Sequence, residues 1–283
     1  MKLTNKLNLP LPLVHAIAND HYEGGKVSDY STTGLLKPPR LAALQKRHGE
    51  SLIEDASDRV WSLFGQVVHT IIERAATDEL VEKRLFMEVA GKTVSGQIDL
   101  YQGDTLWDWK TTSIYSGKDG PKLEWIQQGN INRLLCAENG IEVKKIQYVA
   151  LYRDWSQMAA ARKTEYPAKQ IEIFNLEVWP LQETREFVEE RIAAHEAAKV
   201  ELPNCSEEER WAKPEQWAVM KKGQKRAVKL HDTEEQAEAH IEMLGEDVKA
   251  STEHRPGEQT RCLFYCPVSA FCAQFRAMVE EAA

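Results

Sequence analysis

The sequence predicts an α/β fold in which a mixed sheet is flanked by helices, with a smaller appendage at the C-terminus. Two kinds of pattern support this prediction. Apolar residues recur at helical spacing in some segments, and short apolar or alternating runs lie between them. Helices are expected over 57–76, 125–138, 180–199 and 233–244, and strands over 84–90, 92–101, 106–112, 144–152, 170–178, 217–220 and 226–230. This order of helices and strands is typical of an α/β or α+β core.

Local signals set the bounds of these elements. Gly91 separates the first two strands, and Gly103-Asp104 is a turn signal before the third strand. Asn139-Gly140 is typical of a helix end. The composition changes after Leu202-Pro203. We therefore divide the chain into an N-terminal segment over 1–45, a core over 46–200 and a C-terminal appendage over 201–283.

The composition excludes several classes of protein. The 283 residues are 42% hydrophobic, and 36 Lys and Arg against 44 Asp and Glu give a net charge of −8. A protein that coats polyanions without specificity would be basic, although a local basic groove remains compatible with this charge. The chain has neither a run of ~18 apolar residues nor the apolar run of a signal peptide, so a cytoplasmic protein without a membrane span is expected.

The second and third strands bring two carboxylates together. A hairpin centred on Gly103-Asp104 sets Ile98 against Trp109 on an apolar face, and Asp99 against Asp108 on the other face. Carboxylates so opposed have Cβ atoms ~5 Å apart, and at a dielectric of ~20 they repel by about 3 kcal/mol. They must splay into water, share a proton or bind a cation.

Charged side chains near this pair favour the cation. Lys110 lies on the same face as the two carboxylates. In the preceding helix, His69 and Glu73 are four residues apart and lie on the same face as Gly65. Because glycine has no side chain, a backbone or a phosphate can approach the helix there. A lone His on such a helix is more often a core residue, but the neighbouring carboxylates favour a ligand.

The order of these residues resembles that of the PD-(D/E)XK nuclease superfamily. Gly65-x3-His69-x3-Glu73, Asp99, Asp108-Trp109-Lys110 and Gln128 are most similar to its RecB-like branch, which includes phage recombination exonucleases and CRISPR-associated exonucleases. The resemblance spans about residues 28–136 and implies a restriction-endonuclease-like core. The branch often has Tyr four residues after the Gln, where this chain has Asn132.

The resemblance implies a role for each residue of the motif. Asp99 and Asp108 would bind Mg²⁺ or Mn²⁺ through hard oxygens, with His69 and the backbone carbonyl of Trp109 as further ligands. Lys110 would orient or activate the attacking water and offset charge in the transition state. Gln128 would position Lys110 or the strand. Two glutamates are weaker candidates: Glu73 as an outer partner of His69, and Glu88.

Four cysteines form a candidate cluster site. Cys262-x3-Cys266-x5-Cys272 lies near the C-terminus, and Cys205 lies upstream; Cys136 is expected in the core. These spacings resemble the iron–sulfur members of the same branch, which implies a structural [4Fe–4S] cluster. Zinc, free thiols and disulfides are the alternatives.

Two segments are candidates for DNA contact. Hydroxyls and cations at a helix start would suit a phosphate, although an ordinary helix cap explains them equally well. A basic hairpin in the appendage would suit a DNA backbone or be a solvated turn. The candidate residues are Ser31, Thr33, Lys37 and Arg40 in the first segment, and Lys222, Lys225 and Arg226 in the second.

The resemblance implies a metal-dependent, ATP-independent DNA exonuclease of phage or prophage type that resects DNA ends for recombination. A single-strand annealing or single-strand-binding protein is the implied partner. Gly91-Lys92-Thr93 mimics the end of a P-loop, but Phe86 replaces the required first glycine, so ATP binding is not supported. The alternatives are a CRISPR-associated end-trimming nuclease and a non-catalytic DNA-binding module of the same fold.

Overall fold

The computed structural model describes residues 2–18, 28–76, 80–245 and 248–281. Contacts between residues divide the chain into two units, Met1–Leu202 and Pro203–Ala283. The described parts of the N-terminal segment over 1–45 therefore belong to the same unit as the core. Each unit is described by itself below.

The first unit contains the predicted sheet and several further elements. Its strands are β1 (Lys2–Thr4), β2 (Tyr30–Ser31), β3 (Ile53–Asp55), β4 (Leu80–Val89), β5 (Lys92–Gln102), β6 (Thr105–Thr112), β7 (Lys145–Tyr152) and β8 (Ile171–Leu176). Its helices are α1 (Leu11–Ala18), α2 (Thr32–Leu35), α3 (Pro39–His48), α4 (Val60–Ala75), α5 (Leu123–Glu138), α6 (Gln157–Ala160) and α7 (Leu181–Val200). The predicted long helices and the five predicted strands of the core are confirmed.

The sheet is mixed, as the sequence predicted. Among the described residues it has the order β2-β5-β6-β7-β8, and β4 pairs with β5. The pairs β2–β5 and β6–β7 are parallel, whereas β4–β5, β5–β6 and β7–β8 are antiparallel. The β5–β6 register, with Leu100 opposite Trp107 and Gln102 opposite Thr105, is the predicted one. The class is therefore α/β with a mixed sheet and flanking helices.

Helix α5 packs closely on this sheet because glycine stands where the two surfaces meet. A Cβ added to Gly96 of β5 would lie 2.6 Å from Leu135 Cδ1 and 2.7 Å from Asn132 Oδ1 of α5. Asn132 itself is buried and accepts a hydrogen bond from Thr32 Oγ1 at 3.1 Å. Residue 132 thus ties α5 to α2, and the close packing holds the N-terminal half of α5 over β6.

The predicted start of α4 differs from the observed one. The helix was expected from Ser57, but residues Ala56–Arg59 form a 3-10 turn and α4 begins at Val60. Asp55 stabilises the turn that precedes α4, because its carboxylate accepts the Ser57 N–H at 3.1 Å and caps the turn. The same carboxylate accepts the Lys6 N–H and the Thr4 hydroxyl, which anchors β1 beside β3.

The second unit is a smaller α/β assembly. Its strands are β9 (Ala212–Lys213), β10 (Gln216–Lys221), β11 (Lys229–His231), β12 (Ala250–Arg255) and β13 (Glu258–Gln259), and its helices are α8 (Glu234–Leu244) and α9 (Ala273–Glu281). The predicted hairpin is confirmed as the antiparallel pair β10–β11, although its second strand begins three residues later than expected. β12 forms the other edge of this three-stranded sheet. Within the described parts of both units, no helix combines the length and apolarity that crossing a membrane requires.

Candidate metal and catalytic site

A cleft of about 610 Å³ lies over β5 and β6 in the first unit. It is bounded by α4 on one side and by the N-terminal half of α5 on the other. Most of the predicted catalytic and metal-binding residues meet here. Its lining residues are Thr33, Ser62, Gly65, Gln66, His69, Thr70, Glu73, Glu82, Gln97, Asp99, Asp108, Lys110 and Gln128.

The two predicted carboxylates lie in this cleft, and both are buried. Asp99 is 7% exposed and Asp108 is 3% exposed. The pairing of β5 with β6 runs as far as Leu100–Trp107, and beyond it the Asp99 carboxylate accepts the Trp109 N–H at 2.8 Å. A side chain thus takes the place of a ladder hydrogen bond where the two strands reach the cleft.

The charge on Asp99 is poorly compensated. Burial, followed by the charge of Asp108, raises the pKa of Asp99 to about 8; His69, Lys110 and the Trp109 N–H oppose the shift only in part. Asp108 has a direct counterion, because Lys110 Nζ lies 2.6 Å from its Oδ1. The sequence predicted the repulsion between the two carboxylates, which after burial is the second cause of the raised pKa of Asp99.

Glu82 completes the site, and the sequence analysis missed it. It lies on β4 opposite Asp99, between the pairs Val81–Leu100 and Lys83–Ile98. Its φ of 47° is rare for a residue with a side chain, and such conformations concentrate at functional sites. Glu82 Oε1 lies 2.9 Å from His69 Nδ1.

A signal for Glu82 was present in the sequence. We predicted strands over 84–90 and 92–101 on either side of Gly91. Extending that hairpin with Val89 opposite Lys92 places residue 82 opposite residue 99. The predicted strand stopped at residue 84, two residues short of the glutamate.

His69, Glu82 and Asp99 form the strongest cation site among the described residues. One donor atom of each lies within 4.8 Å of the others, and His69 Nδ1 is 3.7 Å from Asp99 Oδ1. Burial lowers the pKa of His69, but the Glu82 hydrogen bond and the nearby carboxylate charges raise it above its ordinary value. Burial raises the pKa of Glu82, yet its hydrogen bonds to His69 and Gln97 leave that pKa below its ordinary value.

The expected partner of His69 is therefore corrected. Glu73 lines the cleft, but Glu82 holds the imidazole. Glu88, the other weaker candidate, is exposed and accepts a hydrogen bond from Thr93 Oγ1 at 2.6 Å.

Mn²⁺ binds both imidazole and carboxylate ligands, whereas Mg²⁺ prefers carboxylate oxygens. The donor set present in the cleft fits a divalent cation.

Lys110 is held by a small network. Its ammonium donates to Gln128 Oε1 at 3.1 Å, and Gln128 Nε2 donates to Asp108 Oδ2 at 3.4 Å. The predicted positioning contact of Gln128 is thus present. Lys110 Nζ also lies 5.0 Å from the centre of the Tyr148 ring. Burial, together with the charges of Asp108 and Asp99, keeps the pKa of Tyr148 well above its ordinary value.

The remaining first-unit candidates lie around the cleft. Thr33 lines it, and Ser31 caps α2 by accepting the Gly34 N–H at 3.0 Å. Lys37 is exposed. Arg40 is only 6% exposed, and its guanidinium donates to the Leu202 carbonyl at 3.3 Å. Arg40 therefore ties α3 to the end of α7, and we do not retain it as a phosphate contact.

The basic residues of the second unit lie in the turn between β10 and β11. Lys222, Lys225 and Arg226 are exposed there. This exposure suits both interpretations of the hairpin, a solvated turn and a DNA contact. The role of these three residues in DNA binding stays a prediction.

Within the part of the chain that the structure describes, none of the four cysteines of the second unit forms a disulfide. Gln274 holds the Cys205 backbone through two hydrogen bonds, of 2.8 and 2.9 Å, and Gln274 is two residues from Cys272. Burial, followed by the neighbouring Cys266 and Cys272, raises the pKa of Cys262. Cys136 of the first unit is buried in the core, as expected.

The spacing of these thiols tests the zinc alternative. A tetrahedral site with Zn–S bonds of ~2.3 Å places its sulfurs about 3.8 Å apart. Among the described residues, no three of the thiols have sulfur atoms within 4.8 Å of one another. The thiols are thus not gathered as around a bound zinc ion, and the choice between zinc and an iron–sulfur cluster stays a prediction.

Comparisons with known proteins do not assign a family. No family model and no curated protein matches the chain. A solved structure described as "Crystal structure of SSO0001" is similar to it at 16% identity, over 65% of this chain and 84% of that chain, with a TM-score of 0.47.

Proposed function

We propose that this chain is a divalent-metal-dependent DNA exonuclease that degrades DNA from its ends. The observation that carries the proposal is the composition of the cleft. His69, Glu82 and Asp99 form a compact donor set, and Asp108 and Lys110 stand beside it as an ion pair. Carboxylates that hold a cation next to a lysine are suited to attack on a phosphodiester. End-dependence rests on the resemblance to exonucleases.

The cation site consists of residues from three elements. His69 comes from α4, Glu82 from β4 and Asp99 from β5. A divalent cation bound there would lower the pKa of an attacking water and neutralise charge on the phosphate. Asp99 must lose its proton to act as a ligand, and Glu82 keeps His69 oriented toward the site.

Lys110 supplies the positive charge for the reacting phosphate. Its ammonium contacts Asp108 and Gln128, so it is held in place before substrate binds. A preorganised cation stabilises charge that develops in the transition state at no further cost in reorganisation. Asp108 and Gln128 act as positioning residues for Lys110.

The approach of the phosphate is open on the side of α4. Gly65 lines the cleft, and a Cβ added there would meet nothing within 4 Å. The helix therefore presents bare backbone to the cleft at this point. Thr33, also in the lining, offers a hydroxyl that suits a phosphate oxygen.

We also propose that the second unit carries a [4Fe–4S] cluster. Cys205, Cys262, Cys266 and Cys272 would be its ligands, and the support for this is the resemblance of their sequence spacing to that of iron–sulfur nucleases. Such a cluster would supply cross-links between residue 205 and the C-terminal segment, which makes it a structural element. We assign no electron transfer to it.

The proposal is tested with protein purified without oxygen and assayed with Mg²⁺ or Mn²⁺. The substrates are linear duplexes labelled at either the 5′ or the 3′ end, linear single strands and closed circles. We expect loss of linear substrates while circles are spared, and abolition of cleavage by Lys110→Ala. Lys83→Ala is the matched control, since Lys83 is an exposed lysine of the neighbouring strand β4.

Two results would contradict the proposal. Cleavage of circles at the rate of linear DNA would exclude an exonuclease. DNA binding without cleavage of any substrate would indicate a non-catalytic DNA-binding module.

A further inference from the structure

We propose that a basic cavity beside the metal cleft binds single-stranded DNA a few nucleotides away from the bond that is cut. This inference rests on the proposed nuclease function and specifies its substrate. The cavity has a volume of about 530 Å³ and lies wholly in the first unit. Sites of this size hold one small ligand, so it would admit a nucleotide or two of a single strand and not a duplex.

The cavity lies directly beyond the strand that carries the catalytic lysine. Lys110 is on β6, and Ile114, four residues later, lines the cavity. Two hydrogen bonds of 2.9 Å hold this segment beside the end of β7: Arg153 N–H to the Thr112 carbonyl, and Ile114 N–H to Asp154 Oδ1.

The distance between the cleft and the cavity determines how long a strand must be to reach both. Four residues of extended chain span on the order of 13 Å. A stacked strand rises ~3.4 Å per nucleotide, so about four nucleotides separate the bond that is cut from the cavity. A trinucleotide can occupy the cleft or the cavity but cannot span both, whereas an octamer would reach both sites.

Three cationic side chains line the cavity and are available to contact phosphates. Lys118, Arg162 and Lys163 are exposed, and within the described ranges none of them is in an ion pair. Two glutamates also line the cavity, and one of them, Glu172, accepts a hydrogen bond from Tyr152 Oη at 2.5 Å. Glu165 is the other. The lining is thus net positive in a chain of charge −8, which suits phosphates.

An aromatic ring at the cavity is available for stacking. Tyr115 is 77% exposed, more than any other aromatic side chain among the first unit's described residues. The second aromatic residue of the lining, Tyr166, is already engaged, since its hydroxyl accepts the Ser156 N–H at 2.9 Å. Aromatic rings beside cations are the usual combination in sites for single-stranded DNA, because every base can stack.

The turn after β6, which lines one side of the cavity, packs closely on the sheet. A Cβ added to Gly117 would lie 2.5 Å from Tyr152 Oη and 2.7 Å from Phe174 Cζ. Glycine therefore lets the turn after β6 pack directly on β7 and β8. Tyr115 and Lys118 flank this buried glycine, so their backbone is fixed while their side chains stay exposed.

The test measures binding of single-stranded oligonucleotides of 3, 8 and 12 nucleotides, by fluorescence anisotropy in EDTA over a range of salt. The double variant Arg162→Ala/Lys163→Ala removes two phosphate contacts. The matched control, Lys144→Ala/Lys145→Ala, removes two exposed lysines at the opposite end of the same sheet. Thermal melting of each variant verifies folding.

The expected result is selective for length. The double variant loses affinity for the 8-mer and 12-mer, and its salt slope becomes shallower by about 1.4, since each phosphate contact of a single strand contributes about 0.7. Its loss of affinity is smaller for the trinucleotide, which can bind in the cleft instead, and the control's affinity for every oligonucleotide stays unchanged. Tyr115→Ala weakens binding of the longer strands by roughly 5- to 150-fold, and Tyr115→Phe restores it.

The outcomes separate this inference from the proposed function. If the wild type cleaves linear DNA but both double variants bind all lengths alike with equal salt slopes, the inference is wrong and the nuclease proposal stands. A wild type that neither cleaves DNA nor binds single strands overturns both. Equal losses for the trinucleotide and the 12-mer would also overturn the inference, because binding would then not depend on a strand that spans both sites.

Discussion

The raised pKa of Asp99 predicts that the affinity for Mn²⁺ depends steeply on pH. A carboxylic acid must lose its proton before it can bind a cation. Since the pKa of Asp99 is about 8, the protonated form predominates at every lower pH. Affinity should therefore rise with pH and level off above about pH 8.

The magnitude follows from the proton that the cation displaces. Well below pH 8 each pH unit lowers the affinity about tenfold, so at pH 6 the affinity is about 100-fold, or about 2.7 kcal/mol, below its high-pH plateau. The raised pKa of His69 makes the dependence steeper at its acidic end, because a protonated imidazole cannot be a ligand.

Isothermal titration calorimetry with Mn²⁺ at pH 6, 7, 8 and 9 measures this dependence. Titrations at pH 7 in two buffers of different ionisation enthalpy count the protons released, and we expect about one or more per ion. Asp99→Asn is the control and should show no specific binding. An affinity that is constant from pH 6 to pH 8, or binding without proton release, would refute this account of Asp99.

The same shift has a consequence for stability. Between about pH 4 and pH 8 the folded metal-free protein holds a proton on Asp99 that the unfolded chain releases. Its stability should therefore fall as pH rises through this range. Saturating Mn²⁺ should remove that fall. A metal-free protein whose melting temperature rises steadily over this range would contradict the shift.

Three further predictions concern other residues. Glu82→Gln should weaken Mn²⁺ binding by about 10- to 100-fold in calorimetry, whereas Glu88→Gln on the same strand should leave it unchanged; equal effects would argue against Glu82 as a site residue. Gly96→Ala should destabilise the fold by about 1–3 kcal/mol in urea unfolding, since its Cβ meets α5 at 2.6 Å, and an unchanged midpoint would show that α5 can shift. Protein purified without oxygen should contain iron and acid-labile sulfide, which Cys272→Ser should abolish and Cys136→Ser should not; zinc in place of iron would contradict the cluster.

The sequence predicted the core of the site because local rules determine it. The turn at Gly103-Asp104 fixes the register of β5 and β6, and that register brings Asp99 and Asp108 to one cleft. Helical spacing placed His69 on α4, and Gln128 on α5 lies at Lys110 as expected. The register and the place of His69 needed only a turn and a period, whereas the contact of Gln128 with Lys110 was implied by the resemblance.

What the sequence did not predict depends on contacts between distant segments or on unusual backbone. Glu82 lies beyond the predicted end of its strand and has a left-handed backbone that no periodicity reveals. Arg40 looks like a phosphate ligand in the sequence, but its partner carbonyl belongs to Leu202 at the end of α7. The pairing of β1 with β3 likewise joins short segments about 50 residues apart.

The most direct test of the central claim is the single-turnover rate at which an end-labelled linear single strand is cleaved in Mn²⁺. The claim is that the carboxylates and lysine of the cleft cut the phosphodiester with a divalent cation. Asp108→Asn removes the charge that holds Lys110 in place and leaves the shape of the side chain unchanged. We expect cleavage that requires Mn²⁺ and falls by about 100-fold or more in this variant. Cleavage by Asp108→Asn at the wild-type rate, with the same dependence on Mn²⁺, would contradict the account.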